Sequence, residues 1–142
     1  MSEYIVNRLG QLGDGIIDSP SGEIFAPFTL PGEHITGKIE NGRINTPKII
    51  QPVSDRIKPV CKHFKNCGGC SLQHASDTII ADWKIKKTQD ALSQVNLYPK
   101  FRPIINSKKE SRRRATFAAK RTKKGSMVGF HSRASDIIVE VT

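Results

Sequence analysis

The chain has 142 residues, of which 37% are hydrophobic and 25% charged, a composition typical of a soluble globular protein with one ordinary domain or two small ones. No apolar run approaches the roughly 18 residues of a membrane span, and the first residues lack an apolar signal segment. We therefore expect a cytoplasmic protein that has no membrane partner.

The formal net charge is +10, and it is distributed unevenly along the chain. Residues 1–55 contain four Lys or Arg against seven Asp or Glu, whereas residues 98–133 contain twelve Lys or Arg and one acid, Glu110. A field this asymmetric would concentrate a phosphate backbone on one side of the molecule. The second half is therefore the candidate binding surface for a polyanion.

Residues 4–51 alternate short apolar runs with turn residues, which predicts five short strands. Five strands with tight turns in about fifty residues favour a small antiparallel barrel of the OB type, which protects its own edges. We therefore predict a first domain over residues 1–55 and a second over residues 56–142, joined by the proline-containing segment 52–60.

The three cysteines of the chain, Cys61, Cys67 and Cys70, all lie within ten residues. This crowding is typical of thiolates that bind one inorganic centre, and an odd cysteine count argues against a secreted disulfide framework. Three thiolates are one short of the usual four ligands. His63 and His74 are the candidates to complete a zinc site, and a cysteine beyond the chain could complete an iron-sulfur site.

Beyond the cysteines, the pattern predicts one helix and then a small antiparallel sheet. Ser76 is the expected N-cap of a helix that runs to about Val95. Alternating patterns predict strands over 101–105 and 112–121, with a turn at 122–126 and a return strand that begins at Met127. The expected fold class is therefore mainly β with one helix.

The second predicted strand and its turn contain seven basic side chains within thirteen residues. They are Arg112, Arg113, Arg114, Lys120, Arg121, Lys123 and Lys124. A charge run that merely faces solvent normally mixes both signs, and this one does not. We expect these residues to contact nucleic acid, and RNA rather than DNA, because the sequence shows no helix suited to groove reading.

The run C-x5-C-G-G-C-S-L-Q-H from Cys61 to His74, followed by Trp83-Lys84, resembles the iron-sulfur motif of bacterial RNA uracil-5-methyltransferases. The resemblance covers nearly all of the chain but only the front part of the family's enzyme. It implies that the three cysteines are ligands of a 4Fe-4S cluster whose fourth cysteine lies beyond Thr142. Zinc is the alternative metal, and a structural role of the cluster is favoured over a redox role.

Residues 1–55 resemble the TRAM domain of many of these methyltransferases, including the Leu-Pro-Gly-Glu turn at residues 30–33. The resemblance implies an RNA-binding role. The net acidic charge of the segment favours a folding and orienting role instead, and both interpretations stay open.

Together these features predict a monomeric, RNA-binding, iron-sulfur-bearing N-terminal fragment of an RNA uracil-5-methyltransferase that acts on ribosomal rather than transfer RNA. The resemblance places S-adenosylmethionine and the reacting groups in a separate domain, so no catalytic or S-adenosylmethionine-binding residue is assigned in this chain. The alternatives are a free-standing zinc-containing RNA-binding adaptor without catalytic activity and a degraded gene remnant.

Overall fold

The computed structural model describes residues 2–108 and 111–141. These residues contain nine strands, in three small antiparallel sheets, and one α-helix. The expected mainly β architecture with one helix is confirmed.

The chain separates into two compact units, and each is formed by two stretches of sequence. The first unit comprises Met1–Lys58 and His74–Asn106, and the second comprises Pro59–Gln73 and Ser107–Thr142. The helix that follows the cysteines therefore belongs to the first unit. The predicted domain boundary after residue 55 stays a prediction.

Two three-stranded sheets make up the β part of the first unit. Their strands are β1 (Glu3–Ile5), β2 (Arg8–Leu9), β3 (Gly15–Ser19), β4 (Gly22–Ala26), β5 (His34–Thr36) and β6 (Lys48–Gln51). The strand orders are β1-β5-β6 and β2-β3-β4. A parallel bridge joins Phe25 of β4 to Arg43. This pairing among the described residues gives separate sheets, and the closed OB-type barrel stays a prediction.

Aliphatic side chains from both sheets form the core of the first unit. The buried members are Val6, Ile17, Ile24, Ala26, Ile35 and Ile44, and Tyr4 and Ile49 pack against them. Alternation along β3 and β4 directs one set of side chains inward. Full burial of an aliphatic side chain of this size contributes about 1.5–3 kcal/mol, so this cluster is the main stabilising contact of the unit.

A buried ion pair connects the turn at residues 30–33 to the segment that leaves the β region. The Glu33 side chain is 0% exposed, and its Oε2 accepts hydrogen bonds from the Leu30 N–H at 2.8 Å and from Arg56 Nη2 at 2.8 Å. The same Arg56 nitrogen donates to the Phe28 carbonyl at 2.8 Å. One carboxylate therefore holds the turn and orders the following segment.

The helix α1 (Asp77–Ser93) begins at the predicted cap and ends two residues before the predicted end. The Ser76 hydroxyl oxygen accepts a hydrogen bond from the Ile79 N–H, which satisfies one of the unpaired donors of the first turn. The Trp83 indole N–H donates to the Gly10 carbonyl at 3.0 Å, so the helix packs on the β part of its unit. In the described part of the chain, no helix is both long enough and apolar enough to cross a membrane.

The second unit contains an antiparallel sheet of three strands, β7 (Ala118–Thr122), β8 (Gly125–His131) and β9 (Ile138–Glu140), in that order. The expected strand over 101–105 is wrong, and the expected strand over 112–121 is wrong for residues 112–117 and confirmed for residues 118–121. Residues 101–105 and 112–117 lie outside the regular strands, and their side chains are exposed. Alternation alone does not make a strand. The ladder of β7 with β8 extends only from the pair Ala118 and Gly129 to the pair Thr122 and Gly125.

Candidate functional site

The loop that contains the cysteines, residues 61–70, is named here the thiol loop, and it is tied together by short-range hydrogen bonds. The Cys67 N–H donates to the His63 carbonyl at 2.8 Å, and the Phe64 N–H donates to the Cys61 carbonyl at 3.2 Å. Phe64 and Cys67 are buried, Cys61 is half-buried and Cys70 is exposed. The three thiols therefore share one loop but differ in their access to solvent.

The thiol loop is anchored to the end of β8. The Gly68 N–H donates to the His131 carbonyl at 2.8 Å, and Cys67 forms an antiparallel bridge with Ser132. A Cβ at position 68 would lie 2.8 Å from the His131 carbonyl oxygen, which is closer than a carbon atom can approach. Glycine is required here by close approach of two backbones.

The thiol loop is the candidate site for a metal ion or cluster. The Gly69 N–H donates to the Cys67 sulfur at 3.4 Å. In residues 2–108 and 111–141, however, no three side chains of Cys, His, Asp or Glu are grouped so that they could hold a metal ion. The metal assignment of Cys61, Cys67 and Cys70 therefore stays a prediction.

The two histidines that were considered as zinc ligands belong to different units. His63 is part of the thiol loop, and its Nε2 is buried with no hydrogen-bond partner. His74 belongs to the first unit, where it is buried and its ring packs edge-on against Phe28 with the centroids 6.3 Å apart. Of the two, His63 is the histidine that shares a unit with the three thiols.

The seven basic side chains named above are all exposed, and within the described residues none of them forms an ion pair. Arg112, Arg113 and Arg114 precede β7, where the Arg112 Nε donates to the Arg114 carbonyl at 3.0 Å. Lys123 and Lys124 occupy the tip of the hairpin. These cations are available to an external anion.

The strand register places Lys120 and Arg121 on opposite faces of the sheet. In the ladder between β7 and β8, Lys120 pairs with Met127, and the next residue, Arg121, pairs with Ser126. Successive side chains of a strand point to opposite faces. The basic residues therefore surround the tip and the start of the hairpin and do not form a single flat stripe.

Sequence reasoning missed an exposed aromatic ring beside the arginines. Phe117 is 53% exposed, and its ring centroid lies 4.9 Å from that of Phe130 at an interplanar angle of 42°. An aromatic residue three positions after a run of three arginines is a signal that could have identified it. A cavity of about 390 Å³ in the same unit is lined by the thiol-loop glycines, Phe130, His131 and Arg133, among others.

A larger cavity of about 670 Å³ lies in the first unit, between the β2–β3 region and α1. Its cations are already engaged: Arg8 pairs with Asp18 and Glu23, and Arg43 pairs with Asp14. The hydrogen bond and charge of Asp18 raise the pKa of Arg8 further above its usual value. This cavity is therefore close to charge-balanced and has the character of a packing cleft more than of a phosphate site.

No family model matches the chain. It is 35% identical over 139 residues to an uncharacterized RNA methyltransferase of Brucella suis, a match that covers 98% of this chain and 34% of the relative. It is 38% identical over 144 residues to an uncharacterized RNA methyltransferase of Rhizobium meliloti, covering 96% and 34% of the two chains. Curated relatives of this chain are RNA methyltransferases.

Another relative is named for a specific reaction. The 23S rRNA (uracil(1939)-C(5))-methyltransferase RlmD of Marinomonas posidonica is 31% identical over 152 residues, which cover 99% of this chain and 33% of the relative. A solved structure, the tRNA (uracil-54, C5)-methyltransferase of Pyrococcus abyssi with S-adenosyl-L-homocysteine, matches with a TM-score of 0.49 and 24% identity, over 64% of this chain and 21% of that one. The chain spans about one third of the length of the curated relatives it matches.

Proposed function

We propose that this chain is the RNA-binding part of an S-adenosylmethionine-dependent RNA uracil-5-methyltransferase, and that its substrate is ribosomal RNA in preference to transfer RNA. The observation that carries the proposal is the match to the 23S rRNA methyltransferase over 99% of the chain. Because the match covers 33% of that relative, the proposal assigns S-adenosylmethionine and the reacting groups to parts of the parent enzyme outside these 142 residues.

The seven exposed cations in and before the β7–β8 hairpin supply the physical basis for RNA binding. Seven exposed cations without acidic partners in the described residues would release counterions from a phosphate backbone on binding, which gives salt-dependent affinity. Arginine forks at residues 112–114 suit phosphates and base edges, and Lys123 and Lys124 add point charges at the tip. We assign the RNA contact to these seven residues.

Residues 1–55 are proposed to be a TRAM-like domain with an OB-type barrel that orients the RNA-binding region. The buried Glu33 and Arg56 pair supports an orienting role, because it fixes the turn within the proposed TRAM-like motif to the segment that follows it. Arg8 and Arg43, which line the cavity of the first unit, already pair with acidic side chains. This pairing weighs against strong phosphate binding by residues 1–55 alone.

We also propose that Cys61, Cys67 and Cys70 are ligands of a 4Fe-4S cluster in the parent protein. The residue spacing and the anchoring of the thiol loop to β8 support this assignment. The bound cluster would supply a structural crosslink for a loop that has few buried side chains. Anaerobically prepared protein should then show the broad visible absorption of iron-sulfur together with bound iron and sulfide.

A zinc-containing RNA-binding adaptor is the second candidate, and one observation favours it. The Nε2 atom of His63 is buried within the thiol-loop unit and has no hydrogen-bond partner, as a fourth ligand of a Cys3His site would be before metal binding. This candidate predicts a colourless protein that holds one equivalent of zinc and loses the zinc on the change His63→Ala. That result would replace the iron-sulfur assignment with a zinc site.

RNA binding is tested by removing three of the cations together. The variant Arg112→Gln/Arg114→Gln/Lys123→Gln should bind a fluorescently labelled single-stranded RNA about a hundredfold more weakly at about 0.1 M salt, and its salt slope should fall by about 2, since each lost phosphate contact contributes about 0.7.

The matched control removes three exposed lysines of the first unit, with the changes Lys38→Gln, Lys48→Gln and Lys58→Gln. It changes the net charge by the same amount but should alter affinity far less. Equal weakening in the two variants would mean that only net charge matters, and would overturn the assignment of the hairpin as the RNA surface.

A further inference from the structure

Phe117 combines an exposed aromatic ring with a supporting aromatic neighbour. Its side chain is 53% exposed, and its ring lies 4.9 Å from the Phe130 ring at a tilt of 42°. About half of a large apolar side chain is therefore accessible to an external partner. Aromatic rings in this condition serve as stacking surfaces for unpaired nucleic-acid bases.

The neighbouring ring of Phe130 is held in place from two sides. Phe130 lies in β8, opposite Val139 of β9, so its backbone is fixed by the ladder. The thiol loop approaches it closely, since a Cβ at Gly69 would lie 3.4 Å from Phe130 Cγ and Cδ2. A fixed aromatic neighbour that contacts an exposed ring lowers the entropy lost when a ligand stacks on that ring.

Cations flank the exposed ring along the chain. Arg112, Arg113 and Arg114 lie three to five residues before Phe117, and all three are exposed. Arg121 lies four residues after it, within β7, and is also exposed. A base on this ring would have its neighbouring phosphates within reach of positive charge.

We propose that Phe117 is a stacking platform for one unpaired base of the RNA, so that this unit selects single-stranded RNA over a duplex. The inference rests on the proposed RNA-binding function and adds a preference for unpaired bases. In a duplex the bases are stacked on each other and closed to a side chain, whereas an unpaired base is free to stack on an aromatic ring. The arginines supply affinity that does not depend on sequence, and the ring supplies the selection.

The test measures binding of oligouridine, of the same oligomer with abasic positions, and of a duplex RNA of equal length to the 142-residue chain. Phe117→Leu keeps an apolar side chain but removes the π-face, and it should weaken oligouridine binding about tenfold. It should leave abasic RNA, duplex RNA and the salt slope unchanged, since no charge is lost. Phe117→Trp should restore the binding of oligouridine.

Val128→Ala is the matched control, because Val128 is 51% exposed in β8, on the same face of the sheet as Phe130, but has no ring to stack on. Its oligouridine affinity should stay within about twofold of wild type. If Phe117→Leu binds oligouridine as wild type does while the triple basic variant is weakened, the platform is refuted and the RNA-binding function stands. If neither variant weakens binding, the RNA-binding function fails and the platform with it.

Discussion

The buried ion pair of Glu33 and Arg56 offers a sharp test of what holds the first unit together. The change Glu33→Gln keeps the shape of the side chain but removes the negative charge that faces the Arg56 guanidinium. The Arg56 side chain is only 22% exposed, so water can compensate for the lost partner only in part. Removal of one partner from a buried pair costs about 3–5 kcal/mol, and we take about 3 kcal/mol because Arg56 keeps some solvent contact and its bond to the Phe28 carbonyl.

This loss should lower the midpoint of thermal unfolding by about 9 °C, at about 3 °C for each kcal/mol in a chain of this size. The single tryptophan of the chain, Trp83, lies in the same unit as Glu33, so its fluorescence reports the relevant transition. Urea unfolding followed by the same signal gives the free energy independently.

Glu40→Gln is the matched control. The Glu40 carboxylate pairs with Lys38 at 2.9 Å, but the two side chains are 52% and 84% exposed. Exposed pairs contribute about 0–1 kcal/mol, so this variant should unfold within about 3 °C of wild type. The reasoning is refuted if Glu33→Gln costs no more than Glu40→Gln.

A double-mutant cycle separates the pair from the rest of the site. Replacing both partners, with Glu33→Gln and Arg56→Met, removes the uncompensated charge, so the double variant should be more stable than the sum of the two single changes predicts. Additive costs would show that the two side chains act independently, contrary to the geometry.

Two further predictions concern the second unit. Gly68→Ala should accelerate hydrogen exchange of the thiol-loop amides, because its Cβ would meet the His131 carbonyl oxygen, whereas Gly69→Ala, whose Cβ meets other atoms at 3.4 Å or more, should change exchange little. Equal exchange in the two variants would contradict the anchoring of the loop to β8. In reduced, metal-free protein, a short pulse of alkylating reagent should label the exposed Cys70 before the buried Cys67, and mass spectrometry that finds equal labelling would contradict their different burial.

The sequence by itself determined the elements that depend on neighbours in the chain. The helix begins at Ser76 as predicted, because N-capping involves a hydroxyl and an amide only three residues apart. The hairpin at Lys123 and Lys124 likewise follows from turn residues between two short runs. The thiols share one loop, and the basic residues share one exposed segment, because each set is contiguous in sequence.

Tertiary structure decided everything that depends on distant partners. The strand predicted to start at Arg112 starts at Ala118, because a strand exists only where another strand pairs with it. Glu33 contacts Arg56, which lies 23 positions further along the chain, and no local sequence pattern predicts that contact. The Phe117 ring contacts the Phe130 ring from the other side of the β7–β8 hairpin, and no local sequence pattern contains that contact.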